Sequence, residues 1–508
     1  MKRIISLLLI AAIAAFSFAA CSESGNDTSS AVSADSSKAE TSAVEESSEE
    51  IPDDDLNIGE KFWDETLTLL MPDSKNVFSG EFWLDEATNE GLSSVFAERS
   101  RLIKDKYGIS IDLRYASDTW SVPTELETAI NGGLEYNIAC SSAFYMAPKT
   151  SDGYFYDFYD INSIVNSGKG YINFNADYWD QGLIRDMSVA GKLFFLTGDI
   201  CVTDDNATWV MLFNKDIVKN IGFEDPYEIV NNNAWTMDRM TEMAKQAVLM
   251  NGSKMSFKPE DGDVWGIVGR AYDGIMFMLG YGCSKVQKNS DDIPELCITD
   301  ERNVECFGKL YSMFSDSSYC GVADFYGAWD SGVYDDAIRI FANGNALFMP
   351  SKISNLFNDI MTDSDVNYGI IPMPKVNDTQ DTYCASGNVY DVTLVTVPIC
   401  CPEDKLDVTL FTIEALAYYG KKMITPSYYN LVLKGQKTKD EESEKNIDLI
   451  FKSRKYDLSD AYNFNNIIQF YNNVITSGAN TYVSKSESLF GGYNKALNDF
   501  IEKITGEE

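Results

Sequence analysis

Apolar residues along the chain alternate between the two-residue period of strands and the longer period of helices. Three stretches have the pattern of buried strands, namely residues 66–73, 109–116 and 136–142. Two stretches between them have helical periodicity and end at glycines, namely residues 84–108 and 122–133. This β-α-β-α-β order predicts an α/β fold with a mainly parallel sheet covered by helices.

The loops that follow these three strands are predicted to lie together. In such sheets, ligands bind where the carboxyl ends of the strands meet. The candidate ligand contacts at this rim are Trp120, Ser141, Ser142 and Tyr145. Aromatic faces suit the apolar side of a sugar ring, and polar groups suit its hydroxyls. Burial in the core is the alternative for Trp120.

A second series of strands and helices begins near residue 207. Its strand patterns lie at residues 207–214, 264–270, 346–349 and 389–398. Its helical patterns lie at residues 215–222, 236–249 and about 303–316, and the remainder to residue 508 is mostly helical by periodicity. A chain of 508 residues is too long for one ordinary core, so the two series predict two lobes.

The segment FANGNALFMPSKISN (341–355) places polar groups directly after a buried strand. Pro350 is predicted to end this strand at a cleft, so that Ser351, Lys352 and Ser354 form the lip of the cleft. A helix is expected to follow, and its N-terminus can accept a polar ligand group. The alternative is that Ser351 or Ser354 only caps that helix.

Other polar and aromatic residues lie at predicted strand ends or crossings between lobes. Those offered as ligand contacts are Asp204, Asp205, Tyr272, Asp273, Trp329, Ser386 and Asn388. Each has an alternative. Asp204 and Asp205 can solvate a hinge, and Tyr272 and Asp273 can belong to a helix N-terminus that Asp273 stabilises. Trp329 can be a core residue, and Ser386 and Asn388 can belong to a plain turn. Gly387 would allow a backbone to approach a ligand closely.

Composition excludes several kinds of chemistry. The chain has no histidine, which removes Ser-His-Asp and Cys-His pairs and H-E-x-x-H zinc sites. We expect no cofactor and no metal. A secreted glycoside hydrolase or lyase stays an alternative, because two carboxyl groups can act as catalytic acid and base without histidine.

The net charge of −37 disfavours nucleic acid as a partner. None of the ten cysteines forms a C-x-x-C motif, and most are predicted to be buried thiols.

The N-terminal segment predicts export. Residues 1–20 have a positive start and an apolar run typical of a signal peptide. The boundary Phe18-Ala19-Ala20-Cys21 resembles a bacterial lipobox, whose cysteine becomes lipid-modified; a plain secretory signal is the alternative. Residues 21–58 form a predicted disordered tether, with eleven acidic residues and one basic residue between positions 22 and 55. The chain is expected at the cell surface, anchored by lipid on Cys21 to the outer face of the cytoplasmic membrane.

Three segments together resemble the extracellular solute-binding proteins of bacterial ABC importers, the group that includes the maltose-binding protein. The first is MLFNKDIVKNIGFEDPYEIVNNNAWTMDRMTEMAKQA (211–247), with a strand ending in Phe-Asn-Lys and Trp-Thr opening a helix. The second is IFANGNALFMPSKISNLFNDIMTDSDVNYGIIPMPK (340–375), with a Gly turn and a Pro-x-Pro exit. The third is YWDQGLIRDMSVAGKLFFLTGDI (178–200), similar to a hairpin before the first crossing. The resemblance covers residues 62 to about 504.

This resemblance implies a two-lobed clamp of the periplasmic-binding-protein type. Each lobe would be a mainly parallel sheet flanked by helices, with crossings near 203–206, 372–376 and 434–440. Lobe 1 would hold 59–204 plus 376–434, and lobe 2 would hold 205–375 plus 435–508. Such proteins are not enzymes and carry no catalytic residues. They close on a small-molecule solute by hinge motion and deliver it to ABC permease subunits. A monomer that binds a sugar, in particular an oligosaccharide, is expected; a ligand-presenting subunit of a membrane sensor is the alternative.

Overall fold

The computed structural model describes residues 56, 61–73, 82–87, 91–327, 332–429 and 441–506. Within them the strands are β1 (Glu65–Pro72), β2 (Ile109–Ala116), β3 (Ile138–Ser142), β4 (Trp209–Asn214), β5 (Trp265–Gly269), β6 (Val286–Lys288), β7 (Pro294–Leu296), β8 (Cys320–Val322), β9 (Ala346–Lys352), β10 (Tyr368–Ile371), β11 (Ala385–Ser386), β12 (Thr393–Thr396) and β13 (Arg454–Lys455).

The helices of the same residues cover most of the connections. They are α1 (Leu92–Tyr107), α2 (Ser121–Gly132), α3 (Ala143–Met146), α4 (Phe158–Ile164), α5 (Gln181–Met187), α6 (Thr203–Asn206), α7 (Lys215–Ile221), α8 (Pro226–Asn231), α9 (Met237–Ala247), α10 (Gly274–Gly280), α11 (Glu301–Phe314), α12 (Val333–Ala342), α13 (Asp359–Thr362), α14 (Leu406–Tyr419), α15 (Thr425–Ser427), α16 (Glu441–Lys452), α17 (Leu458–Tyr462), α18 (Phe470–Ile475) and α19 (Tyr482–Thr505).

Two sheets define two lobes. The sheet of the first lobe has the strand order β12-β3-β1-β2, in which β1 pairs in parallel with β2 and β3 while β12 is antiparallel to β3. The sheet of the second lobe has the order β10-β4-β9-β5-β8. In this second sheet β5 pairs in parallel with β8 and β9, whereas β4 is antiparallel to both of its neighbours. Both sheets are flanked by helices, so the fold is α/β, as the sequence predicted.

The second sheet buries both of its faces. Along β4, Trp209, Met211 and Phe213 belong to one apolar cluster, while Val210 and Leu212 belong to another. This alternation follows from the two-residue period of a strand. The first of these clusters also contains residues of the first sheet, so one continuous core extends from one lobe into the other.

Two predicted element boundaries were wrong. The helix predicted over 84–108 begins only at Leu92. The preceding chain folds back on it, because the Leu84 amide donates to the Ser100 hydroxyl (3.0 Å) and Trp83 is buried. The helix expected after Lys352 is instead a 3₁₀ turn over Ile353–Phe357.

The strand β9 does not stop at Pro350, which is a third correction. It continues to Lys352, and it is paired with β4 from Phe348 to Lys352. The Ile353 amide donates to the Thr208 carbonyl on the β4 side (3.1 Å), so by alternation the nitrogen of Pro350 points to the β5 side. Pairing with β5 ends at Phe348, and the missing N–H of the proline therefore costs no ladder hydrogen bond.

The lobes are joined by crossings that pack tightly. The first crossing runs through α6, directly before β4, and the chain returns from β10 to β12 through β11. A π-helical segment, Gly420–Ile424, passes beside the first crossing. A Cβ atom at Gly420 would lie only 1.8 Å from the Asp199 carbonyl oxygen, so a larger residue does not fit there. The third predicted crossing, near 434–440, lies outside the described residues.

Two properties of the described residues bear on the predictions from composition. Their nine cysteines are free thiols, of which eight are buried and Cys400 is half-buried, and this confirms the prediction that most are buried. No helix among them is both long enough and apolar enough to cross a membrane. The predicted signal peptide (1–20), the lipid site Cys21 and most of the tether lie outside the described part of the chain.

Candidate functional site

The ends of the two sheets approach each other, and side chains from both lobes meet there. The ring of Tyr390, just before β12, lies 6.0 Å from the ring of Tyr272, which follows β5. The ammonium group of Lys352, at the end of β9, lies 2.5 Å from the carboxylate of Asp391. The site is therefore built from the carboxyl ends of strands in the second lobe and from the segment that leads into β12.

Five rings form a row from the first lobe to the second. We call this the aromatic row; its members in spatial order are Trp120, Tyr145, Phe144, Tyr390 and Tyr272. Their successive ring centroids are 6.5, 5.1, 4.3 and 6.0 Å apart. Trp120 at the outer end is 60% exposed, whereas the other four are half-buried. The row thus presents an apolar surface that begins in solvent and ends inside the molecule.

The first-lobe end of the row is held by two hydrogen bonds to backbone carbonyls. The Ser141 hydroxyl donates to the Thr119 carbonyl (2.9 Å), which fixes the loop that carries Trp120. The Phe144 amide donates to the Val389 carbonyl (2.9 Å). Ser141 was predicted as a ligand contact, but it is fully buried and supports the loop instead.

Asn388 positions the middle of the row. Its side-chain oxygen accepts from the Tyr390 amide (3.1 Å), and its side-chain nitrogen donates to the Asp391 carboxylate (2.8 Å). Its own amide donates to the Ala207 carbonyl at the first crossing (3.0 Å). Asn388 was predicted at the site, and the structure places it directly behind the row. Burial, with a smaller effect of the Asp460 carboxylate, raises the pKa of Tyr390 to about 12.

Arg270 adds a cation at the inner end of the row. Its guanidinium carbon lies 4.5 Å from the ring centre of Tyr334, 5.6 Å from Trp209 and 5.9 Å from Tyr272. Asp273 holds it, because one carboxylate oxygen accepts from Arg270 Nη2 (2.6 Å) and the other accepts from the Arg270 amide (2.8 Å). Burial raises the pKa of Asp273, although the guanidinium opposes this shift. Asp273, a predicted contact, thus serves to orient Arg270.

Lys352 forms the opposite side of this inner end. Its ammonium group lies 5.7 Å from the ring centre of Tyr334 and forms the ion pair with Asp391 described above. The Tyr334 hydroxyl donates to the Asn355 side-chain oxygen. The neighbouring Ser351 is buried, and its hydroxyl accepts from Asn355 Nδ2 (3.1 Å). Of the three predicted lip residues, Lys352 therefore reaches the site and Ser351 is used internally. Ser354 is half-buried in the 3₁₀ turn that follows β9.

Two buried donors at the inner end have no protein partner. The Tyr272 hydroxyl and the Trp209 indole N–H are both inaccessible and make no hydrogen bond within the described residues. Burial, aided by the carboxylate of Asp460, raises the pKa of Tyr272 well above its ordinary range, so the hydroxyl keeps its proton. Unpaired buried polar groups are costly, and they commonly mark the place of a ligand or an ordered water.

Asp204 and Asp205 do not join the aromatic row. Their carboxylates contact the guanidinium of Arg454 at 3.1 and 2.9 Å, and Asp180 contacts the same guanidinium at 3.0 Å. We call these four residues the crossing cluster. The two aspartates thus have an internal partner at the first crossing, which agrees with the hinge alternative rather than with ligand contact.

The remaining predicted residues are not brought to the row. Ser386 is buried in β11, and its hydroxyl donates weakly to the Gly387 carbonyl (3.4 Å). Ser142 is buried at the end of β3, and its hydroxyl has no hydrogen-bond partner within the described residues. Trp329 lies outside the described part of the chain.

Sequence reasoning missed several residues of the site. These are Phe144, Trp209, Arg270, Tyr334, Tyr390 and Asp391. Phe144 is one position from the predicted Tyr145, and Tyr390 is two positions from the predicted Asn388. Proximity to a predicted strand end could therefore have indicated both. Tyr334 lies on a helix, where periodicity alone gave no signal.

Comparison with known proteins identifies the fold. No protein-family model matches the chain, and a search of curated proteins finds no match either. A cyclo/maltodextrin-binding protein complexed with maltotetraose has a TM-score of 0.52 at 12% identity, over 87% of this chain and 97% of that chain. An ABC substrate-binding protein from Listeria monocytogenes in complex with cycloalternan has a TM-score of 0.51 at 15% identity, over 87% and 99%. A sugar transporter from Rhizobium etli in an open conformation has a TM-score of 0.55 at 13% identity, over 87% and 100%.

At these identities the likeness establishes the fold alone. The chain has the two-lobed α/β fold of the ABC-transporter solute-binding proteins, and the resemblance expected from its sequence is confirmed at that level.

Proposed function

We propose that this protein is the solute-binding component of an ABC importer and that it captures a carbohydrate, in particular an oligosaccharide, between its two lobes. The aromatic row is the observation that carries the proposal. Sugar rings stack their apolar faces on aromatic side chains, and a row of five rings offers more such surface than a single sugar unit needs.

The inner end of the row supplies the polar part of the recognition. The Tyr272 hydroxyl and the Trp209 N–H are buried donors that a sugar hydroxyl would satisfy. Arg270, Lys352 and Asp391 add further donors and acceptors at the same end. The combination of an apolar platform with a few fixed polar groups is typical of small-molecule binding sites. The fold supports the same function, because the similar proteins named above are sugar-binding or substrate-binding proteins.

Isothermal titration calorimetry tests the proposal. The purified protein would be titrated with neutral oligosaccharides of increasing length and, separately, with oligopeptides. Saturable binding of an oligosaccharide with no product formation supports the proposal, whereas binding of peptides alone would contradict the sugar assignment. Trp120→Ala should weaken the binding about tenfold through loss of a stacking platform. Phe62→Ala is the matched control, because Phe62 is 61% exposed and lies outside the row.

The location of the protein forms a second part of the proposal. We infer that Cys21 carries the lipid and that the folded part hands its solute to permease subunits in the same membrane. Cys21→Ala should release the protein from the membrane fraction into the medium without changing its affinity for the solute. Retention of the variant in the membrane fraction would contradict a lipid anchor at this cysteine.

A further inference from the structure

The crossing cluster joins three parts of the molecule. Asp180 caps α5 in the first lobe, where its carboxylate accepts from the Leu183 amide (3.0 Å). Asp204 and Asp205 lie in α6, the first crossing. Arg454 begins β13, which pairs with β11 on the return to the first lobe. A single guanidinium group therefore connects the first lobe, the first crossing and the strand pair beside the second crossing.

The cluster holds more negative than positive charge in a buried place. Arg454 is 10% exposed at its side chain, and the three aspartates are 3, 3 and 12% exposed. One guanidinium therefore faces three carboxylates. A buried charge is stable only when it is paired, so the surplus of carboxylates is unfavourable as long as all three are ionised.

The charged and titratable groups around the cluster do not remove this surplus. They are Arg185, Asp186, Asp199, Lys421, Tyr456 and, along the adjoining cavity, Asp177, Tyr178, Tyr429, Asp448 and Lys452. Asp199 and Lys421 pair with each other at 3.2 Å. Arg185 pairs with Asp186, and its guanidinium also donates to the Arg454 carbonyl (3.2 Å). The Tyr456 hydroxyl donates to Asp180 (2.7 Å) but carries no charge.

Burial raises the pKa of both aspartates at the first crossing. It raises the pKa of Asp204 to about 6, although the guanidinium of Arg454 opposes the shift. Burial and the neighbouring carboxylate of Asp204 raise the pKa of Asp205 well above its ordinary range. The cluster therefore takes up a proton as the pH falls from neutral to mildly acidic values. A cavity of about 470 Å³ is lined by Asp180, Asp204, Asp205 and Arg454, and it gives solvent protons a route to the cluster.

We propose that the crossing cluster is a pH-sensitive link between the lobes, which holds the first crossing more firmly at mildly acidic pH than at neutral pH. Uptake of one proton lowers the surplus negative charge while the contacts of Arg454 to the remaining carboxylates persist. This inference goes beyond the proposed function, because it concerns the ligand-free chain and does not depend on which solute the protein binds.

Amide hydrogen exchange on the ligand-free protein tests the proposal. Peptides that contain residues 199–208 and 453–456 would be compared at about pH 5 and about pH 7.5, after correction for the intrinsic exchange rate. If Asp204 regains its ordinary pKa when the crossing opens, the opening equilibrium should be about tenfold smaller at the lower pH. Peptides from β1 serve as the internal reference and should change much less.

Two variants separate the cluster from general effects of charge. Asp204→Asn combined with Asp205→Asn should remove most of the pH response of the crossing peptides, because it replaces both coupled carboxyl groups by neutral groups of the same shape. Asp177→Asn should keep the response, because Asp177 is an exposed acid that lines the same cavity outside the cluster. An equal response in the wild type and in the double variant would overturn the proposal. If the double variant does not fold, the wild-type profile decides, and a response that is uniform along the chain, or absent, would refute it.

Discussion

Replacing Glu414 by glutamine should change how the stability of the protein depends on pH. Glu414 lies in α14 and is 3% exposed. Its carboxylate accepts hydrogen bonds from the Tyr178 hydroxyl, the Trp179 indole N–H (3.2 Å) and the Asn173 amide (3.1 Å). No cation contacts it among the described residues. Burial therefore outweighs the three donors and raises the pKa of Glu414 to about 7.

The size and sign of the effect follow from this shift. A carboxyl group whose pKa is raised in the folded state contributes stability below its unfolded pKa of about 4.5, and this contribution is lost as the pH rises through about 7. Between about pH 5.5 and pH 8.5, the ionisation of Glu414 should cost the wild-type protein about 2 kcal/mol. Glutamine cannot ionise, so the variant should not lose this amount. For a chain of this length, about 2 kcal/mol corresponds to about 2 °C in the unfolding midpoint.

Thermal unfolding followed by intrinsic fluorescence measures this difference. The midpoints of the wild type and of Glu414→Gln would be compared at both pH values, and the change in their difference isolates the one group. Glu403→Gln is the matched control, because Glu403 is exposed just before α14. The unfolding midpoint of the variant, relative to that of the wild type, should be about 2 °C higher at about pH 8.5 than at about pH 5.5. No change in the difference, or a change of opposite sign, would refute the reasoning.

Two further substitutions test other parts of the molecule. Lys352→Ala should weaken solute binding without unfolding the protein, because it removes the ammonium group beside the row and its ion pair with Asp391; calorimetry with unchanged affinity would contradict its role at the site. Lys285→Met should destabilise the protein by about 3 kcal/mol, because it leaves the buried carboxylates of Asp457 and Asp460 without their cation. Addition of Asp460→Asn should recover part of this loss in thermal unfolding, and a lack of recovery would show that the pair is not the cause.

The sequence predicted β1, β2 and β3 of the first lobe well because their patterns are local. The predicted ends of β2 agree with the structure, and those of β1 and β3 differ by two residues or fewer. The predicted start of α1 was wrong, because the chain before the helix is held by a hydrogen bond from Leu84 to Ser100 within the helix. A contact between residues 16 positions apart leaves no local pattern. The end of β9 was wrong because the tolerance of Pro350 depends on where β5 stops, which is a property of the sheet and not of the segment.

The candidate site was predicted mainly where a strand end also carried an aromatic, charged or amide side chain. Trp120, Tyr145, Tyr272 and Lys352 all meet this condition, and the structure places each of them at the aromatic row or its inner end. The role of Asp205 could not be read from the sequence, because its partner Arg454 lies 249 residues further along the chain. Long-range charge pairs leave no local pattern, so buried carboxylates and ligand contacts look alike in sequence.

The place of β12 at the edge of the first sheet has a consequence for synthesis. Its residue Thr396 pairs with Ala139 of β3, 257 positions earlier in the chain. While the polypeptide is being made, β1, β2 and β3 can assemble early, but one side of β3 stays without its neighbour until the whole second sheet has emerged. An open, apolar strand edge invites pairing with other chains. Newly made molecules should therefore be most prone to aggregate during this interval, and a chaperone that shields β3 would protect the yield of the folded protein more than one that acts later.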